Sequence, residues 1–70
     1  MKHKFYFMQS SMLSACEYDD EKRELTVTFS NGKDYVYEDV AKSTYDELIS
    51  AESAGRYCNS IKAGLKVKKP

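Results

Sequence analysis

Leu25-Thr26-Val27-Thr28-Phe29-Ser30-Asn31-Gly32-Lys33-Asp34-Tyr35-Val36-Tyr37 is the stretch on which the fold turns. Leu25, Val27 and Phe29 alternate with threonines, the period of a half-buried strand built from good β-formers. Asn31-Gly32 marks a hairpin. Two registers compete. A two-residue loop at Asn31-Gly32 pairs Val27 with Val36 and Leu25 with Glu38, which turns Asp34 and Glu38 onto the apolar face. A three-residue loop, Ser30 to Gly32, pairs Val27 with Tyr35 and Leu25 with Tyr37. Only the second keeps the carboxylates out of the core, where an unpaired charge is costly. The sequence therefore predicts a bulged type I turn with Gly32 in the left-handed position and Tyr35 and Tyr37 facing inward.

Past the hairpin the period lengthens. Ala41, Tyr45, Leu48, Ile49 and Glu52 fall on helical spacing, with Lys42, Asp46 and Glu47 on the solvent side. This predicts a helix over about 41–52, with Asp39 as its cap. Ser53-Ala54-Gly55 breaks it, and Ser53 is placed to cap a second helix. That helix carries Tyr57, Cys58, Ile61 and Leu65 on its apolar side and stops near Gly64. Residues 66–70, Lys-Val-Lys-Lys-Pro, read as a frayed basic tail.

Before the hairpin, residues 5–18 read as extended, interrupted at Ser10-Ser11. The step from Leu13 to Cys16 and Tyr18 breaks a strict period of two and predicts a bulge near Ser14-Ala15. Asp19 to Arg23 is a turn. The order of elements gives an α+β fold, an antiparallel meander of three or four strands followed by two short helices packed on one face.

Seventy residues make a single domain, 1–70, with its core over about 8–65. Such a core leaves a margin of roughly 3–5 kcal/mol. No run is long or apolar enough to suggest a membrane span. Two cysteines, Cys16 and Cys58, make neither a disulfide framework nor a metal motif. They predict reduced, buried thiols and a cytoplasmic setting. Net charge is zero but unevenly placed. All 11 acidic residues lie between Glu17 and Glu52, whereas Lys2, Lys4, Arg56, Lys62, Lys66, Lys68 and Lys69 make both ends basic.

The motifs Ser10-Ser11-x-Leu13, Cys16-x-Tyr18-Asp19, Leu25-x-Val27-x-Phe29, Gly32-x-x-Tyr35-x-Tyr37-x-x-Val40 and Ala51-x-Ser53-x-Gly55-x-Tyr57-x-Asn59-x-Ile61-Lys62 together resemble the KTSC domain family. The resemblance spans about residues 8–65. It departs at Ala41, where the family often has proline, at Glu17, where glycine is frequent, and at Cys58, where an aromatic is common. The family is named after the C-terminus of certain lysyl-tRNA synthetases and also occurs as short stand-alone bacterial and phage proteins. The resemblance implies this fold, brings no catalytic residue or cofactor with it, and points to RNA only through the synthetase association.

The residues themselves argue against catalysis. The one histidine, His3, sits at the N-terminus, and no cysteine has a histidine near it in sequence. No phosphate-binding loop or metal spacing is present. The favoured expectation is a non-catalytic binding module with a protein partner and no cofactor. The candidate contacts, to phosphate or to a partner, are Ser53, Gly55, Arg56, Asn59, Lys62, Lys66, Lys68 and Lys69. An RNA-binding accessory domain, with the basic helix and tail on phosphates, is the alternative. A structural homo-oligomer joined through an edge strand near residues 4–8 is the third. Tyr35 and Tyr37, as core residues, are poor candidates for stacking on bases.

Overall fold

The computed structural model describes residues 1–8 and 10–69. The decisive hairpin joins β3 (Glu24–Phe29) to β4 (Asp34–Glu38), and its register is the predicted one: Val27 faces Tyr35 and Leu25 faces Tyr37. Gly32 has φ +89°, a left-handed conformation open to glycine at little cost. The turn is closed by Phe29 N–H donating to Lys33 C=O at 2.8 Å and Gly32 N–H to Phe29 C=O at 2.9 Å. The Asn31 side-chain oxygen accepts from Lys33 N–H at 3.0 Å.

The extended N-terminal stretch resolves into β1 (Lys2–Tyr6) and β2 (Leu13–Asp19), paired antiparallel. The register of β2 on β3 shifts between Leu13 and Ala15, the expected bulge. It lets Leu13, Cys16 and Tyr18 all bury despite their uneven spacing.

Two expectations are corrected. The tail is not frayed: Lys66–Lys69 forms β5, antiparallel to β4, and completes a five-stranded sheet in the order β1-β2-β3-β4-β5. Pro70 and the side chain of Lys69 lie outside the described residues. Lys66 Nζ meets Glu38 at 3.3 Å and Lys68 Nζ meets Glu24 at 2.6 Å, so the basic end is drawn onto acidic strands. Asp39, in turn, does not cap a helix. It adopts φ +57°, reversing the chain beside Arg23 at 3.8 Å, while Val40 N–H donates to Arg23 C=O. The first helix, α1, runs Lys42–Ser50, shorter than expected, with Ala41 at its uncapped start. The Ser50 hydroxyl bonds back to the Asp46 carbonyl at 2.7 Å, and the chain leaves the helix at Ala51, which is extended. The second, α2, runs Ala54–Lys62. Ser53 stands at its N-cap but makes no side-chain capping bond.

Both helices cover one face of the sheet. The core between them comprises Leu13, Cys16, Tyr18, Leu25, Val27, Tyr37 and Val40 from the strands and their ends, with Tyr45, Leu48, Ala54 and Cys58 from the helical side. Tyr18 and Tyr45 stack at 5.6 Å between ring centroids. The buried Tyr18 hydroxyl donates to the Val40 carbonyl at 2.6 Å, pinning the chain where it leaves the sheet for α1. Burial and the neighbouring Cys58 push the Cys16 thiol up to about 12, and burial also raises Cys58.

Two outcomes follow from this core. Tyr18→Phe strands a buried carbonyl, and denaturant unfolding should show a loss of about 1–2 kcal/mol with an unchanged m-value. Because thiolate is the reactive species, both cysteines should resist a thiol-titrating disulfide reagent at neutral pH. They should react at a rate set by opening of the fold, and fast labelling of the native protein would contradict the packing.

Candidate functional site

The β1–β2 connection passes beside the junction of the two helices, and the two leave a cleft of about 500 Å³ between them. That is the size range of sites that take small ligands or single anchor side chains. Its apolar lining comes from Phe5, Phe7, Met8, Met12 and Ile49, and its polar rim from Ser53, Arg56 and Asn59, with Glu52 alongside.

Local chemistry builds each wall. Phe5 and Phe7 are inward residues of the first strand and the step after it, with rings edge to face at 5.2 Å. The Ser10 hydroxyl accepts the backbone N–H groups of Met12 (3.2 Å) and Leu13 (3.0 Å), which turns the chain into β2. Ser30 fastens the same segment to the hairpin: its hydroxyl donates to Ser11 C=O at 2.9 Å and its N–H to Met12 C=O at 2.9 Å. Ser10-Ser11 is thus a structural clasp. Met12 is held over the first turn of α2, where a Cβ added to Gly55 would lie 2.9 Å from Met12 Sδ and 3.1 Å from Met12 Cβ. A side chain at Gly55 would press on Met12, because the β1–β2 connection and α2 approach this closely. Asn59 Nδ2–H donates weakly to Met12 Sδ at 3.7 Å. Tyr57, one face round, ties α2 to α1 through its hydroxyl on Glu47 at 3.2 Å.

Of the residues singled out in the sequence, Ser53, Gly55, Arg56 and Asn59 meet at this cleft. Lys62, in the last turn of α2, does not line it. Lys66 and Lys68 stand on β5, at the opposite edge of the sheet from β1, each engaged by a carboxylate. The expectation for Lys69 lies outside the described side chains. The basic strip read from the sequence is therefore two separate surfaces. Phe5, Phe7 and Met8 read from the sequence only as part of an edge strand, and their meeting with Met12 and Ile49 is not legible there because the segments lie some forty residues apart.

Among the described residues, no three His, Cys, Asp or Glu side chains converge to hold a metal. No helix of the described residues is long and apolar enough to cross a membrane. His3 Nε2 lies 3.1 Å from Asp20, whose carboxyl is held low by the terminal ammonium and His3. That cluster sits at the start of β1 and does not line the cleft.

The close approach of Met12 and Gly55 has a measurable consequence. Gly55→Ala should destabilise the domain by about 1–3 kcal/mol through overpacking. Met12→Ala removes the Sδ clash and should recover part of that loss in the double variant. A double-mutant cycle read by thermal or denaturant unfolding should give a coupling of at least about 0.5 kcal/mol, whereas simple additivity would mean that the two residues do not press on one another.

Comparison with known proteins fits this picture. The family model for the KTSC domain matches residues 9–63. A protein of Tsukamurella paurometabola is 37% identical over 54 residues, 77% of this chain and 81% of that one. An uncharacterized protein of Stutzerimonas stutzeri is 41% identical over 54 residues, 77% of this chain and 76% of that one. The crystal structure of a KTSC domain protein from Yersinia pestis superposes with a TM-score of 0.88 at 25% identity, covering 100% of this chain and 99% of the other. With the Ser10-Ser11 clasp, the Tyr35-x-Tyr37 core strand and the Gly55 contact all in place, this chain belongs to the KTSC domain family.

Proposed function

We propose that this domain is a non-catalytic module that binds another protein, with the cleft between the β1–β2 segment and α2 as its recognition surface. One observation carries the reading: an apolar concavity is left open while its flanking side chains stay in water. Met8 is 90% exposed, Tyr6 61% and Met12 38%. Methionine and tyrosine are adaptable, amphipathic contact residues, and a charged and amide rim around an apolar floor is the layout of a protein-binding patch. Arg56, which has no ion-pair partner among the described residues, stands on that rim.

The titratable groups support binding over catalysis. Burial keeps both thiols protonated at neutral pH. The outer sheet face bears Glu17, Glu24 and threonines, with Tyr6 its one strongly exposed aromatic among the described residues, a sparse platform for stacking bases. Lys66 and Lys68 are occupied by carboxylates, which leaves the RNA alternative with less free charge than the sequence suggested. A cytoplasmic setting belongs to the same proposal, supported by two buried cysteines without a disulfide.

A photo-crosslinking amino acid placed at Arg56, and as a control at Lys33 on the hairpin tip, tests the reading in cells. The Arg56 position should give a discrete, saturable protein adduct that Met12→Asp abolishes, and the Lys33 position should give none. Nucleic acid in the Arg56 adduct, or equal labelling from both positions, would remove the proposal.

A further inference from the structure

The free edge of β1 is a second half of the same surface, and its chemistry specifies an occupant. Phe7 N–H donates to Ser14 C=O at 2.9 Å, and Asp20 N–H donates to Met1 C=O at 3.2 Å. Odd-numbered residues of this segment therefore turn their backbone groups toward β2. In an antiparallel ladder the groups alternate, so Lys2, Lys4 and Tyr6 turn theirs to the open side, where no strand pairs. The side chains alternate in step. Lys2, Lys4 and Tyr6 are exposed on the outer face, while His3, Phe5 and Phe7 are half-buried on the helix-covered face, where Phe5 and Phe7 enter the cleft.

The two edges of the sheet are not equivalent. On β5, Lys66 and Lys68 are neutralised by Glu38 and Glu24. On β1, Lys2 and Lys4 have no carboxylate within ion-pair distance among the described residues, and Lys4 Nζ instead lies 5.2 Å from the Tyr6 ring centre. Pairing of β1 with a second copy of itself about Lys4 sets lysine against lysine, the arrangement that discourages edge-to-edge self-association. The strand already paired with β1 carries a pattern complementary to it, although its carboxylates stop short of ion-pair distance from the lysines. Opposite Lys4 and Lys2 stand Glu17 and Asp19, and opposite Phe5 and His3 stand Cys16 and Tyr18.

We propose that the open edge of β1 takes an extended segment of a partner protein in which acidic and apolar residues alternate, as they do in Cys16-Glu17-Tyr18-Asp19. The acidic side chains lie against Lys2 and Lys4 on the outer face, and an apolar side chain enters the cleft beside Phe5, Phe7 and Ile49. Main-chain bonds to Lys2, Lys4 and Tyr6 carry affinity, and the alternation carries specificity. This occupant rests on the protein-binding reading above and names the kind of segment bound.

The test uses the intact chain and a capped peptide copying residues 14–20, with valine replacing its cysteine. Fluorescence anisotropy should show saturable binding, weakened about tenfold by the Lys2→Glu/Lys4→Glu double variant. A peptide with lysine in place of Glu17 and Asp19 should bind that variant and not the parent. Lys4→Pro, which removes the open-side N–H together with the Lys4 charge but no bond to β2, should weaken binding well beyond Lys4→Ala while the far-ultraviolet circular dichroism stays unchanged. Amide exchange of Lys2, Lys4 and Tyr6 should slow in the complex, with β2 still protected. The inference is overturned if charge reversal has no effect, if the peptide displaces β2, if a short oligouridylate competes, or if the chain dimerises at assay concentration. Protein adducts from Arg56 without peptide addition at β1 would leave the cleft reading standing and remove the strand.

Discussion

Everything in this domain depends on the register of one hairpin. The left-handed residue at Gly32 sets the loop at three residues, and the loop length decides which side of β4 faces the helices. A slip of one residue sends Tyr35 and Tyr37 to water and brings Asp34 and Glu38 inward. The core has no buried polar or charged residue to receive them. With the register fixed, Leu25, Val27 and Tyr37 form the central floor. The bulge in β2 then brings Leu13, Cys16 and Tyr18 onto that same floor, and the Tyr18 hydroxyl on Val40 sets where the chain lifts away to begin α1.

The same strand order explains the distribution of charge. Along the chain the ends are basic and the middle acidic. In the sheet the ends become the two edges, and the acidic strands lie between them, so that Lys66 and Lys68 reach Glu38 and Glu24. These are surface pairs and individually contribute little to stability. Their effect is on where the last strand docks: the outer face of β3 and β4 offers carboxylates, and the C-terminal segment supplies lysines at alternate positions. A sequence with basic ends and an acidic middle thus folds into a sheet whose β5 lysines are matched by carboxylates, while Lys2 and Lys4 on β1 have no ion-pair partner among the described residues.

The legible and illegible parts of the structure divide along the same physical line. The hairpin, the bulge and α2 were readable because the residues that determine them are neighbours: alternating apolar positions, Asn31-Gly32, and the uneven step from Leu13 to Cys16. β5 was not, because Lys66-Val67-Lys68-Lys69 has a single apolar residue and no strand period. It is a strand only because β4 presents an unpaired edge to it. Asp39 misled for a related reason. Aspartate suits both a helix cap and a left-handed turn, and the choice is made by Arg23, sixteen residues earlier. Half of the candidate site was found through its helix residues, Ser53 to Asn59. Gly55, read from the sequence as a candidate contact, is explained instead by Met12, a long-range contact that no local pattern announces.

The exposed apolar groups around the cleft have a thermodynamic weight that a small domain feels. Burying a methionine side chain is worth about 1.5–3 kcal/mol, and a core of this size leaves a margin of only roughly 3–5 kcal/mol. Met8 and Met12 stand beside a cavity already floored by Phe5, Phe7 and Ile49, yet the chain does not close over it. The Ser10 and Ser30 hydrogen bonds tie the β1–β2 segment into its turn and to the hairpin, and the Met12–Gly55 contact fixes how near α2 approaches. A domain with little stability to spare thus leaves an apolar surface uncovered, a cost that folding alone does not recover.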